Sequence, residues 1–200
     1  MRKHITKKDT ANMIRKALKE AFPDMKFSVV SSGSSMCSVL NISWEDGANE
    51  TQVSSIVSRF KGASFEAVDD SKEYRYHMLD GEEVSFYFDY INLKRSNSDA
   101  AIQRAIDQLY RRHQAAFELS QVAKPTVSQF NKGELMSTVL KGFSGSDYLQ
   151  SLIWKILSKN SDRLKINHSP TAAKVFMTHH SGSAQKLLTA VKNFDKAIMQ

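Results

Sequence analysis

The stretch Lys26–Gly47, KFSVVSSGSSMCSVLNISWEDG, decides the fold. If it is extended, Phe27, Val29 and Ser31 point one way and Ser28, Val30 and Ser32 the other. A Gly/Ser interruption over Ser31–Ser35 follows. A second alternating run then sets Leu40, Ile42 and Trp44 on one face and Val39, Asn41 and Ser43 on the opposite one. Alternation of β-branched and aromatic residues, broken by Gly and Ser, predicts a β-hairpin with a loop longer than two residues. Glu45-Asp46-Gly47 ends the second strand sharply, since Gly accepts the positive φ such a turn needs. Leu40, Ile42 and Trp44 make an apolar face on which helices from both sides of the sequence are expected to dock, with Trp44 in the core.

The regions around the hairpin read as follows. Thr6 to Phe22 predicts a helix with Thr6 and Asp9 as a capping-box variant and Ile14, Ala17, Leu18, Ala21 and Phe22 as its apolar stripe. Lys7, Lys8, Arg15, Lys16 and Lys19 take the other side, and Pro23 stops the helix. After the hairpin, Asn49 and Gln52 suggest a cap for a short helix carrying Val53, Ile56, Val57 and Phe60, with Gly62 as its stop. Tyr74 to Met78 alternates like an edge strand. Asp80-Gly81 is a turn, and Glu83 to Leu93 reads as one further strand with Val84, Phe86 and Phe88 on one face.

These residues together carry a resemblance. The pattern includes the helix ending Ala21-Phe22-Pro23, then Phe27, then Ser43-Trp44-Glu45-Asp46-Gly47. It continues through the segment Val57 to Phe65 with Asp69-Asp70 and the ending Asp89-Tyr90-Ile91 to Arg95. It resembles a large polyvalent protein-associated domain over about residues 5–97. Phe27, Trp44, Asp46, Gly47, Asp89, Tyr90 and Arg95 are the motif residues. Ala48-Asn49 departs from the family, which often has Pro after the Gly. The resemblance implies a protein carried by a plasmid or phage, with an accessory role in helping that element survive host defences. It supplies no catalytic residue.

Ser96-Asn97-Ser98 reads as a hinge or an N-cap. Asp99 to Leu119 predicts one long helix with Ile102, Ala105, Ile106, Leu109, Ala116 and Phe117 apolar, an Asp107–Arg111 pair, and His113 as a structural histidine. Lys124-Pro125 to Gly133 reads as a linker, and Glu134 to Phe143 fits a strand or a short helix. Ser146 is expected to cap a helix to about Lys159 with Leu149, Leu152, Ile153, Ile156 and Leu157 apolar. Thr171 to His180 gives no clear signal. A last helix is expected with Leu187, Val191, Phe194 and Ile198 as its seam. The fold class is therefore α+β, divided as an α+β region 1–97 and a basic, mainly helical region 98–200.

The 200 residues carry a net charge of +7 and an apolar content of 41%, enough for a packed core. Met1 to Arg95 holds 14 Lys/Arg against 14 Asp/Glu, and Ser96 to Gln200 holds 14 against 7. That asymmetry points to an acidic partner of the second half, nucleic acid or an acidic protein surface. Arg104, Arg111, Arg112, Trp154, Lys155, Lys159, Arg163 and Lys165 are the candidate partner-binding residues. Trp154 or Tyr110 would stack on a base if the partner is nucleic acid. A plain solvated surface is the third account.

No phosphate-binding Gly loop, nucleophile elbow or metal-ligand spacing occurs. Cys37, His168, His179-His180, Asp69-Asp70 and Glu82-Glu83 form no recognisable catalytic or metal set. The expectation is a protein that is not an enzyme, needs no metal or cofactor, and lies in the cytoplasm of a bacterial host, with no membrane span and no secretory signal at its basic N-terminus. It would bind and inhibit a host defence complex of the CRISPR or restriction type. The alternative is a nucleic-acid-binding accessory protein for plasmid or phage maintenance or transfer.

Overall fold

A computed structural model describes residues 3–34, 37–66, 71–162 and 165–180. The fold is α+β. The described chain forms two compact units. The first holds residues up to Trp44, Thr51–Lys94 and the described residues from Lys165 on; the second holds Glu45–Glu50 and the described part of Arg95–Leu164. The expected last helix, Asp69-Asp70 and Arg163 lie outside the described residues.

In the first unit, helix α1 (Lys7–Ala21) starts at Thr6, whose Oγ1 accepts from the Asp9 N–H at 3.2 Å. The reciprocal bond of a capping box is altered: the Thr6 hydroxyl donates to the Asp9 carboxylate at 2.6 Å. The expected stripe is all buried, Ile14 to Phe22. The hairpin is strands β2 (Ser28–Ser34) and β3 (Cys37–Glu45), antiparallel from Ser28↔Ser43 to Ser34↔Cys37. The ladder thus runs through the Gly/Ser stretch, and only two residues separate its last pair, not a longer loop. Small side chains weaken a strand without forbidding it, and cross-strand bonds hold them extended here. Leu40, Ile42 and Trp44 are buried, and the rings Phe22, Phe27 and Trp44 follow one another at 5.8 and 5.6 Å between centroids.

Helix α2 (Glu50–Val57) runs into a short 3-10 turn at Ser58–Phe60, burying Val53, Val57 and Phe60. Gly62 then does more than end a helix. A Cβ there would lie 2.2 Å from the Phe86 carbonyl oxygen, and the Gly62 N–H donates to the Phe88 carbonyl at 2.7 Å. Strands β4 (Ala63–Glu66), β5 (Ser71–Leu79) and β6 (Glu82–Ser85) form a meander, with Asp80 and Gly81 both at positive φ in the β5–β6 turn. Strand β1 (Lys3–His4) adds to β6 in parallel.

Three expectations change in this unit. Tyr74–Met78 is not an edge: β5 pairs with β4 and β6, and with strand β8 (Val175–His180) from far along the chain. Residues Thr171 to His180, which gave no signal, are short helix α7 (Pro170–Ala173) followed by β8. Glu83–Leu93 is not one strand. Its alternation continues in burial, with Val84, Phe86 and Phe88 buried, but the backbone leaves the ladder at Phe86 and re-enters as β7 (Tyr90–Ser96) in the other sheet, order β2-β3-β7.

Two carboxylates fasten the first unit. Asp89 Oδ2 meets Lys72 Nζ at 2.8 Å and accepts from the Ser38 hydroxyl and N–H at 2.9 and 3.2 Å. Burial raises its carboxyl; the Lys72 and Ser38 donors outweigh that and hold it below the ordinary aspartate value. Glu20 accepts from the Ser169 hydroxyl and from the Thr171 N–H and hydroxyl at 2.8–3.0 Å, tying α1 to α7. Desolvation opposes this, and the three donors again win, lowering its value.

In the second unit the core is α3 (Asp99–Arg112) against α6 (Leu149–Lys159), joined by α4 (Gln114–Ser120) and α5 (Val127–Lys132). The predicted single helix 99–119 breaks at His113, whose φ of −125° and ψ of 28° leave helical space. Phe117 is thereby turned into the core, 5.0 Å from the Tyr110 ring. His113 is half-buried against Phe143 at 5.1 Å, the structural part expected of it. The expected linker contains α5, started by a full capping box between Thr126 and Gln129. Glu134 to Phe143 forms neither a helix nor a strand, only an isolated bridge from Val139 to Tyr148. The α6 cap is Tyr148 rather than Ser146. Asp107 pairs with Lys124 at 2.7 Å; Arg111 donates to the Asp107 backbone carbonyl instead of its carboxylate.

Trp44→Ala is expected to destabilise the protein by about 3–5 kcal/mol in denaturant unfolding. An unchanged melting temperature with lost function would make Trp44 a contact residue. A second expectation concerns acid. Because folded Asp89 and Glu20 have lowered pKa values, their stabilisation is full above the ordinary carboxyl range and drains as pH falls through it and below. Asp89→Asn should lower stability at neutral pH and flatten the acid limb of the melting-temperature profile; a parallel acid limb would remove Asp89 from that account.

Candidate functional site

Three of the seven motif residues, Asp46, Gly47 and Arg95, come together around one guanidinium in the second unit. Asp46 and Gly47 both take positive φ, 53° and 63°, folding the chain back sharply after β3. The turn carbonyls face Arg95, whose Nε donates to the Asp46 carbonyl at 3.2 Å and whose Nη2 donates to the Gly47 carbonyl at 3.1 Å. Its Nη1 donates to the Leu157 and Asn160 carbonyls at 3.0 and 2.9 Å, the unpaired C-terminal end of α6. Asp46 turns its carboxylate the other way. It accepts from the Ser98 N–H at 2.9 Å and from the Ser98 hydroxyl, while the Ser98 Oγ accepts from the Ala101 N–H and caps α3. Burial pushes the Arg95 value down, and Asp46, Asp162 and Glu50 counter it, so the cation is partly compensated. The other motif residues are in the first unit: Phe27 and Trp44 in the ring series, Asp89 at the Lys72–Ser38 junction, and Tyr90 beneath Lys61 at 5.8 Å.

The candidate partner-binding residues fall into three groups. Arg104 and Arg111 lie on one exposed stripe of α3, seven residues apart, and Arg112 is exposed in its last turn. Trp154, Lys155 and Lys159 are on α6; Lys155 pairs with Asp147 at 2.7 Å, and Lys159 is exposed. Lys165 is exposed and belongs to the first unit.

Composition does not show the cluster around Trp154. Its ring lies 5.4 Å from Phe130 of α5, and the Gln150 side chain fixes that helix by donating to the Phe130 carbonyl at 3.0 Å. Gly133 ends α5 at positive φ, and an added Cβ there would stand 3.6 Å from the Met136 methyl. Trp154 and Met136 are 48% and 62% exposed, and Tyr148, the N-cap of α6, is 39% exposed. Two ion pairs of mixed sign involve the same elements: Lys132 with Glu134, and Lys155 with Asp147. The only sequence signal for Met136 is that it is a large apolar residue in a stretch with no helix or strand period.

Charge also divides differently in space than along the chain. Among the described residues, the second unit carries nine Lys/Arg and nine Asp/Glu, and the first carries fourteen and nine. Acidic Glu45, Asp46 and Glu50 join the second unit, whereas Lys165 and Lys174 join the first. Among the described residues, no group of three His, Cys, Asp or Glu could hold a metal ion, and no helix is long and apolar enough to cross a membrane.

Arg95→Lys keeps the charge but cannot span four carbonyls with one ammonium. It is expected to cost about 2–3 kcal/mol in unfolding measurements, with loss of hydrogen-exchange protection at the end of α6. Wild-type stability in that variant would show that water replaces the guanidinium without penalty.

No curated protein and no solved structure matches this chain. A family model does match, across the hairpin, the Asp46-Gly47 turn, Asp89-Tyr90 and Arg95: residues 5–98 match the family described as large polyvalent protein associated domain 29.

Proposed function

We propose that this protein is a non-catalytic accessory protein of a mobile genetic element that binds a host defence complex, of the CRISPR or restriction type, and inhibits it by occupying a protein surface. The family match supports the mobile-element setting. The observation that carries the mode of action is the exposure of the large apolar side chains Trp154, Met136 and Tyr148, with the ion pairs Lys132–Glu134 and Lys155–Asp147, on a unit with balanced charge among its described residues. Protein interfaces favour aromatic residues, Met and Arg, with an apolar centre and a polar rim. A surface built to follow phosphates needs a net positive field, and the described residues of the second unit carry no net charge. Arg104, Arg111, Arg112 and Lys159 add cations beyond the cluster, suited to acidic patches on a protein target.

The second reading, a nucleic-acid-binding protein for plasmid or phage maintenance or transfer, draws on the Arg104–Arg111 stripe and on Trp154 as a stacking ring.

Affinity capture from host lysate, with and without nuclease, distinguishes them. The capture of a defence complex should survive nuclease and weaken by about thirtyfold in Trp154→Ala, a loss on the order of 2 kcal/mol. Charge reversal of Arg111, Arg112, Lys155 and Lys159 to Glu should weaken it further, most at low salt. Capture that disappears with nuclease, together with duplex binding lost on the same charge reversal, would replace the protein target with nucleic acid.

A further inference from the structure

A second surface lies in the first unit, around two cations with no carboxylate partner among the described residues. Lys61 precedes Gly62, and the Arg75 N–H donates to the Gly62 carbonyl at 2.8 Å, so the two side chains leave neighbouring backbone. Burial, with Arg75's charge beside it, pushes the Lys61 ammonium below the ordinary lysine value. The Arg75 Nε is buried without a hydrogen-bond acceptor. Paired cations with an unmet donor are unfavourable alone and are relieved by an oxyanion. Lys61 Nζ also stands over the Tyr90 ring, which places this pair at the start of β7.

From Tyr90 the same face of β7 continues through Asn92 to Lys94, both exposed. Three side chains then cross the sheet in a row: the Asn92 amide donates to Asn41 Oδ1 at 3.2 Å, and the Asn41 amide donates to Ser32 Oγ at 2.6 Å. The β2–β3 register sets Ser28, Val30 and Ser32 opposite Ser43, Asn41 and Val39 on that face. The described side chains of β2 and β7 on it carry no carboxylate; Glu45 is reached only at the far end of β3. Tyr90 to Lys94 spans about 13 Å of strand, longer than a single phosphate group.

We propose that the Lys61–Arg75 pair and the outer face of the β2-β3-β7 sheet bind the phosphodiester backbone of a single-stranded nucleic acid. Lys61, Arg75 and Lys94 neutralise phosphates. The Asn92–Asn41–Ser32 row offers donors and acceptors to the open base edges that a single strand exposes and a duplex hides. This surface is independent of the Trp154 cluster and of the protein-target reading.

The test uses the full chain and fluorescence anisotropy with labelled single strands of about 12 nucleotides, DNA and RNA, and the matching duplex. Titrations are made at about 50 and 200 mM salt. Single strands should bind more tightly than duplex, with affinity falling log-linearly in salt. Lys61→Gln with Lys94→Gln should weaken binding by about tenfold or more at the lower salt and reduce the salt slope by about 1.4, two contacts' worth. Asn92→Ala should weaken binding and leave the slope unchanged. Trp154→Ala should leave it untouched. The proposal is overturned by absence of single-strand binding, by a double variant that is folded and binds normally, or by binding lost only when Arg111 and Arg112 are reversed. Competition by inorganic phosphate alone, with no oligonucleotide binding, also overturns it.

Discussion

One guanidinium settles where three pieces of backbone end. Arg95 serves the Asp46-Gly47 turn and the last turn of α6 at once, and it meets four carbonyls with no carboxylate in the bargain. A helix C-terminus leaves its last carbonyls unpaired, and water or a Gly-led cap is the usual remedy. Here Asn160 follows α6 in extended geometry rather than in a left-handed cap, so the distant arginine takes that part. Asp46 is free to cap α3 through Ser98 because the turn presents its carbonyl, not its carboxylate, to Arg95. The Asp-Gly pair is thus required for two reasons, its positive φ values and its two-sided hydrogen bonding. Ala48, where the family often has Pro, is fully buried, so a small side chain fits the space behind the turn.

The parts of the fold legible in the sequence are those fixed by short-range physics. The α1 stripe, the hairpin faces, the Asp80-Gly81 turn and the Ser98 cap each depend on residues a few positions apart. What was hidden depends on partners far along the chain. Alternation in Tyr74–Met78 is the same for an edge and a central strand; β8, a hundred residues on, decides it. The period of Val84, Phe86 and Phe88 hides the passage of the chain from one sheet to the other, because these three stay buried while the backbone leaves β6. His113 breaks a helix with no Pro or Gly to announce it, since the gain is burial of Phe117. Thr126 and Gln129 did announce α5, and the neighbouring Pro125 and Gly133 masked them as a linker.

The candidate site was legible in its chemistry and not in its grouping. Trp154 with Lys155 and Lys159 follows from helix spacing, but Phe130 meets Trp154, and Met136 meets the end of α5, only through the fold. The basic second half dissolves as a unit of charge, because three acidic residues before Thr51 share the unit of Arg104–Lys159 while Lys165 and Lys174 share the other. A sum along the sequence has no necessary meaning for a field in space, where ions interact over about ten ångströms.

Tyr90 and Asp89 illustrate the same distinction within one motif. Asp89 lies in the bend just before β7, and Tyr90 is the first residue of that strand. Asp89 is spent on structure: buried, it holds Lys72 and the start of β3 through Ser38. Tyr90 lies under Lys61, on the face of β7 that continues to the Asn92 amide and Lys94. An anchor and a contact residue placed side by side keep the surface rigid where a ligand would meet it, since the Asp89 bonds fix the backbone that aims Tyr90, Asn92 and Lys94. Lys72, though near in sequence to Arg75, is consumed by Asp89, which leaves Lys61 and Arg75 as the cations of that region whose charge no described carboxylate answers. Lys61 and Arg75 thus stand beside strand ends that are already fastened, so an anion bound there loses little to reorganisation of the protein.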